Sequence, residues 1–350
     1  MAASFVVLAG AQARAHIESR GLAPSDIAAI PAAAGGPKGL ALIPLDRRLF
    51  GQWLSPAHEP ELIGASIGSW RMTAAAQRDP VSALDRLADA YVGQVYPKRP
   101  STAYVSAECR KLARSALGVG EALPLREGAK LTVITARGRG ALDRRSGKRA
   151  FAQAALANLR SRQALAEHME RVLFTTPGAR FPGAAFDRFD LRRVALTTAN
   201  AEDALLASGS IPLVSDPVDT PAGAPAGNYW DGGLIDYHLL LPYPQLPGLV
   251  LYPHFTPFVT PGWLDKHLPW RRKPQAHPWL ANMILFAPSP ALLARLPNAK
   301  LPDRDDFYRY GLDHAARQRD WKRAIAECER FADEVMAWLN APNPRLIQAL

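Results

Sequence analysis

The chain has 350 residues, 48% of them hydrophobic and 21% charged, a balance that excludes a disordered or fibrous protein and leaves ample length for an enclosed core. Lys and Arg total 42 against 32 Asp and Glu, a net charge of +10, which favours anionic partners or reflects an arginine-heavy composition and says nothing of fold. Cys109 and Cys328 lie far apart and outside any C-x-x-C spacing, so no disulfide framework or zinc knuckle is indicated and a reducing cytoplasm fits.

In chain order, the first ten residues hold an apolar run without a basic leader, too short to span a bilayer, and predict a strand or buried turn and not a signal peptide. Residues 12–20 predict a short helix closed by Gly21, and residues 26–31 a strand running into Ala34-Gly35-Gly36-Pro37-Lys38-Gly39. A helix over about 40–53 leads back to a buried strand at Glu61-Leu62-Ile63. Gly64-Ala65-Ser66-Ile67-Gly68 follows, and then a helix over 69–76. Further strands are expected at 131–135, 194–198 and 248–252, with helical segments such as 151–174 between them. The six arginines and lysines of 137–149 predict a solvated loop or hairpin. Near the end, Trp321, Ile325, Cys328, Phe331, Val335 and Trp338 recur every three or four residues and predict a helix with one face in the core.

Strands alternating with helices predict an α/β fold, a three-layer α/β/α arrangement with a mostly parallel central sheet and a helical C-terminal region. No repeat, low-complexity tract or compositional break divides the chain. One domain over 1–350 is expected, its motif-bearing core at about 26–255 and a C-terminal loop and helical region at about 256–350.

A G-x-S-x-G pentapeptide puts its serine on a tight strand-to-helix turn where flanking side chains would collide with backbone. Ser66 therefore reads as a nucleophile at a helix start, with the Ile67 N–H as a first donor to a developing oxyanion. The Gly35 and Gly36 amides can line an anion-binding concavity, while Pro37 lacks an N–H and stiffens the loop. Lys38 followed by Gly39 excludes a Walker A loop, which needs Ser or Thr there. Far downstream, Asp231-Gly232-Gly233 places an aspartate on a Gly-rich turn.

Taken together these residues resemble the patatin-like phospholipase family of bacterial type. That family pairs a G-G-G-x-R/K-G oxyanion loop with G-x-S-x-G and a distant D-G-G or D-G-A aspartate, and works without a histidine. The likeness covers about 26–240 and includes the small-residue run Ala207-Ser208-Gly209-Ser210-Ile211-Pro212. It departs at Ala34, which stands for the first glycine, at Lys38, where arginine is common, and at Leu234-Ile235-Asp236-Tyr237-His238, which replaces an asparagine-rich turn. The resemblance implies a serine hydrolase of lipid acyl esters, a phospholipase or lysophospholipase. Ser66 and Asp231 would be its dyad, Gly35, Gly36 and Ile67 its oxyanion hole, and Gly64, Gly68, Lys38, Gly39, Gly232 and Gly233 its motif positions.

Two other readings stand beside it. A Ser-Asp-His triad would draw on His238, His254, His267, His277 or His314, all of which follow the acid in order. A lipid- or membrane-binding protein on the same fold would need no chemistry at all. Trp263, Trp270, Arg271, Arg272 and Lys273 interleave aromatics with cations, a composition suited to an anionic membrane surface or to a loop packed on the core. No metal, organic cofactor or nucleic-acid partner is expected, since no motif for any of them occurs.

Overall fold

Short runs of buried aliphatic residues build the sheet. The computed structural model describes residues 3–54, 58–118, 123–143, 148–183, 186–271 and 277–350. Its strands are β1 (Phe5–Ala9), β2 (Ile27–Ala32), β3 (Glu61–Ala65), β4 (Lys130–Gly138), β5 (Met169–Thr175), β6 (Leu191–Ala195), β7 (Val218–Asp219), β8 (Asn228–Asp231), β9 (Leu249–Pro253), β10 (Met283–Pro288) and β11 (Ile347–Ala349). They form one mixed sheet ordered β11-β1-β10-β9-β2-β3-β4-β5-β6, with β8 also on β4 and β7 on β8. The run β10-β9-β2-β3-β4 is parallel throughout, and so are β5-β6 and β1-β11; the remaining pairs are antiparallel. Every residue of β3, β9 and β10 is buried, as strands covered on both faces must be. The fold is therefore α/β with a large, mostly parallel mixed sheet.

The helices are α1 (Ala11–Arg20), α2 (Ile43–Arg48), α3 (Ile67–Ala75), α4 (Pro80–Gly93), α5 (Thr102–Leu117), α6 (Lys148–Arg160), α7 (Ala201–Ser208), α8 (Pro290–Leu293), α9 (Asp305–Tyr310) and α10 (His314–Asn340). Along α10, Trp321, Cys328, Phe331, Val335 and Trp338 are buried and Ile325 packs partly buried against the same core. Among the described residues no helix is long and apolar enough to cross a membrane. Both cysteines are free.

Four expectations are corrected. Residues 40–53 are not one α-helix but the end of a 3₁₀ segment (Gly36–Leu42), then α2, then a π-turn (Leu49–Trp53); Pro37 and Pro44 each remove a backbone donor, which breaks the register of the ladder. Residues 151–174 are helical only to Arg160, because Ser161 caps a 3₁₀ turn and the chain then enters β5, buried along most of its length. The strand expected at 194–198 ends at Ala195, and Thr197 instead accepts from the Ala201 N–H (2.9 Å) to start α7. The C-terminal region is not only loop and helix, for it supplies β10 and β11 to the sheet.

The described residues of the basic stretch 137–149 are only partly a solvated loop. Arg137 ends in β4 and pairs with Glu170, Arg139 pairs with Glu170 and Asp190, and Lys148 opens α6. Arg144 and Arg145 lie outside the described residues.

Two buried Arg–carboxylate clusters brace the structure, one between two helices and one from the sheet to the segments beside it. On α3, Arg71 makes a two-pronged pair with Asp46 of α2 (2.7 and 2.8 Å). On β5, Arg171 holds Asp236 (2.6 and 2.9 Å) and Asp187 (2.8 Å). Burial opposes the charge of Arg171, but these two carboxylates more than offset it and its pKa is raised. Removing one partner of such a pair leaves an uncompensated buried charge. Asp46→Ala is expected to lose about 3–5 kcal/mol in denaturant unfolding, and a loss below about 1 kcal/mol, the level of an exposed pair, would show that the pair does not brace α3.

Candidate active site

The sheet itself brings the two motifs together. β4 pairs with β5 along Thr132–Gly138 on one edge, while β3 runs beside Lys130–Ile134 and β8 beside Thr135–Arg137. A strand has only two hydrogen-bonding edges, so β3 and β8 share the second. Since β3 is parallel to β4 and β8 antiparallel, their C-terminal ends meet. Ala65 lies opposite Ile134 and Asp231 opposite Thr135, which leaves Ser66, one residue on, beside Asp231.

Ser66 occupies φ 57°, ψ −130°, a region that costs an L-residue of order 1–3 kcal/mol. The turn is held in that shape from behind. Gly68 admits no side chain, because a Cβ there would fall 1.9 Å from the Ala32 carbonyl oxygen. Ser208, at the end of α7, accepts the Ser66 N–H (2.9 Å), sits 2.8 Å from the Ser69 hydroxyl and donates to the Ile134 carbonyl (2.7 Å). One hydroxyl therefore joins the turn, α3 and β4.

Asp231 is fixed in turn by its own loop. Its Oδ1 accepts the Gly233 N–H at 2.7 Å, and the neighbouring Ser66 side chain favours its charged form. A Cβ at Gly232 would meet the Ile134 carbonyl oxygen at 2.2 Å, so only glycine lets the turn lie so close to β4. Ser66 is 3% and Asp231 6% exposed. Burial pushes the Asp231 carboxyl up to about 6; the Ser66 side chain, the Arg304 charge and the Gly233 N–H hold it from rising further.

Both side chains line a cavity of about 130 Å³ together with Ala34, Gly35, Lys38 and Gly233. Ile211, Leu234, Tyr237 and Trp263 close it apolarly, and Lys266, Asp303, Arg304 and Asp305 reach it from the C-terminal region. The Ala34 N–H is taken by the Tyr237 carbonyl (2.9 Å), whereas those of Gly35, Gly36 and Ile67 have no backbone acceptor among the described residues. Gly36 and Ile67 are buried behind the cavity wall, and Gly39 packs on Ile67, where a Cβ would meet Cγ1 at 2.7 Å. Gly64 lies inside β3, behind the cavity as Gly68 does. The arrangement can take a proton from a hydroxyl and place amide donors near an anion.

No histidine is among the residues lining this cavity. His238 accepts the Thr260 N–H at Nδ1 (3.0 Å) and stacks on Tyr237, and His254 is bound to Thr256. Both imidazoles are buried, which lowers their pKa values. His277 caps a 3₁₀ turn at Trp279, His267 is exposed and His314 opens α10.

The aromatic–basic segment divides between core and solvent. Trp263 is part of the cavity wall with the Lys266 ammonium 4.8 Å above its ring. Arg271 is committed inward, to Asp265 (3.0 Å) and the Leu159 carbonyl (3.0 Å). Trp270 is 72% exposed, near the end of α6, where Leu156 and Leu159 are exposed too. Arg272 and Lys273 lie outside the described residues.

The motif residues Ser66, Asp231 and Gly35 lie at one cavity, whereas Ser208, in the small-residue run 207–212, carries no motif role. No motif marks Tyr237, Lys266 and Arg304, and only the tertiary fold brings them to the cavity. A scan against protein-family models and a search of curated proteins return no match for this chain.

Because the folded carboxyl titrates at about 6 against an ordinary 3.8, the unfolded chain releases this proton first as pH rises. Asp231 therefore lowers stability progressively between about pH 4 and 6 and keeps it lowered above that. Asp231→Asn is expected to melt at or above the wild-type temperature at pH 8, its advantage vanishing below about pH 4. A variant clearly less stable at pH 8 would show that the buried charge is not a burden on the fold.

Proposed function

We propose that this chain is a serine acyl-ester hydrolase of the patatin-like kind, acting on lipid acyl esters through a Ser66–Asp231 dyad. The observation that carries the reading is Ser66, on a strained strand-to-helix turn, beside the buried Asp231 carboxylate at a cavity wall. Ser66 Oγ attacks the ester carbonyl carbon as its proton passes to Asp231. The resulting oxyanion would meet the Gly35 amide at the cavity wall, with the Gly36 and Ile67 amides, which have no backbone acceptor among the described residues, just behind it. Collapse expels the alcohol, which takes the proton from Asp231, and leaves an acyl-serine. Water then attacks the acyl carbon and gives a proton to Asp231; the acyl–Oγ bond breaks, Ser66 Oγ takes that proton back from Asp231, and the acid leaves.

An aspartate at its ordinary value is a poor base at neutral pH. Burial of Asp231 moves it toward the range where general bases work well. The cavity's lack of histidine among the described residues favours this dyad over a triad. A cytoplasmic enzyme meeting a membrane only peripherally, with the exposed Trp270 at the contact, accords with the same reading.

Purified protein should be assayed on diacyl, lysophospholipid and short-chain esters. Ser66→Ala and Asp231→Asn are each expected to lose at least about 1,000-fold in turnover, while wild-type kcat/KM rises with pH through about 6 as Asp231 ionises. Near-full turnover by either variant would refute the dyad. A folded wild-type protein inert on every ester would favour a lipid-binding module instead.

A further inference from the structure

Three cations from separate parts of the chain converge on the cavity that holds Ser66: Lys38 in the Gly-rich loop 34–39, Lys266 in the 3₁₀ segment Trp263–His267, and Arg304 just before α9. Like charges crowded around a cavity repel, and burial raises the cost. Lys38 and Lys266 are both held below the usual ammonium value, by burial first and with the Arg304 charge contributing.

The carboxylates nearby do not answer all of this charge. Asp303 is taken by Lys300 (2.6 Å), Asp231 is engaged by Ser66 and Gly233, and Asp305 is exposed to solvent. Arg304 makes no ion pair or side-chain hydrogen bond among the described residues. The Lys38 ammonium lies 5.6 Å over the Phe255 ring, with no carboxylate in contact. A guanidinium facing a cavity with its planar fork unused is suited to a carboxylate or phosphate.

Its position relates that anion to the chemistry. The Arg304 side chain runs along the oxyanion loop, so that a Cβ on Gly36 would lie 3.1 Å from Arg304 Nε. An anion held by Arg304 would sit close to the carbonyl that Ser66 attacks.

We propose that Arg304 and Lys266 form an anion subsite that selects esters carrying a phosphate or carboxylate near the scissile bond. This rests on the hydrolase reading for its consequence in turnover, but the binding of the anion does not. Both residues lie beyond the stretch that carries the family likeness, and they would set specificity without taking part in bond breaking.

Two measurements test it. Calorimetry on Ser66→Ala, with glycerol 3-phosphate, succinate and glycerol as probes, reads binding without catalysis. At least one of the two anions is expected to bind and glycerol not to, and which anion binds distinguishes phosphate from carboxylate. Adding Arg304→Gln should weaken that binding about tenfold or more. Turnover at pH 8, where Asp231 is ionised with or without the Arg304 charge, on a matched pair, 1-hexanoylglycerol and 1-hexanoylglycerol 3-phosphate, should show Arg304→Gln raising KM for the phosphate ester about tenfold or more and leaving the neutral ester within about threefold. Arg304→Lys, which keeps the charge, should restore much of the loss and guards against a folding defect.

Arg304-dependent anion binding with no ester turned over would sustain the subsite and refute the hydrolase reading. Hydrolysis of the neutral ester with no anion binding would do the reverse. Equal losses on both esters in Arg304→Gln, with wild-type anion binding intact, would also overturn the subsite.

Discussion

The candidate site depends on two strands sharing one edge of a third. β5 occupies one edge of β4 along most of its length, and the other is divided between β3 and β8, which arrive from opposite directions. Strand geometry therefore decides that the residue after Ala65 and the last residue of β8 lie side by side. Most else about the pair follows from that junction. Its position inside the sheet buries Asp231 and lifts its pKa to about 6. The Ile134 carbonyl at the same junction both excludes a side chain from position 232 and accepts the hydroxyl of Ser208.

Neither half of the junction is comfortable by itself. Ser66 sits at positive φ and Asp231 carries charge into the interior, and both work against stability. Buried ion pairs fix the elements on either side. Asp46 anchors α3, which carries the Ser66 turn, through Arg71; Arg171 anchors the segment after the Asp231 turn through Asp236. Such pairs add little net stability over a well-packed apolar substitute, but their paired, directional bonds define position closely. Reactive geometry of this kind needs that definition more than it needs stability.

What was legible in the sequence was local. Gly64 to Gly68 and Asp231 to Gly233 signal tight turns because their glycines answer steric demands that act within a few residues, and the α10 stripe reads plainly because its period is helical. Strand and helix were confused over 151–174, since a short apolar run such as Val172-Leu173-Phe174 has no period long enough to tell them apart. The contributions of β10 and β11, the bridging role of Ser208, and the arrival of Lys266 and Arg304 at the cavity all arise from long-range pairing. No local spacing encodes them. The roles proposed for Ser66 and Asp231 rest on motifs and on resemblance to the patatin-like family, which does not reach the residues beyond about 255 that finish the cavity.

The claim on which the rest turns is that Asp231 makes the Ser66 hydroxyl nucleophilic. Labelling by a fluorophosphonate probe, followed by intact mass and peptide mapping at a series of pH values, tests it most directly. The account predicts one adduct, on Ser66, formed at a rate that rises through about pH 6 and is abolished in Asp231→Asn. A folded wild-type protein that stays unlabelled, or an adduct whose rate ignores both pH and the Asp231 substitution, would contradict it.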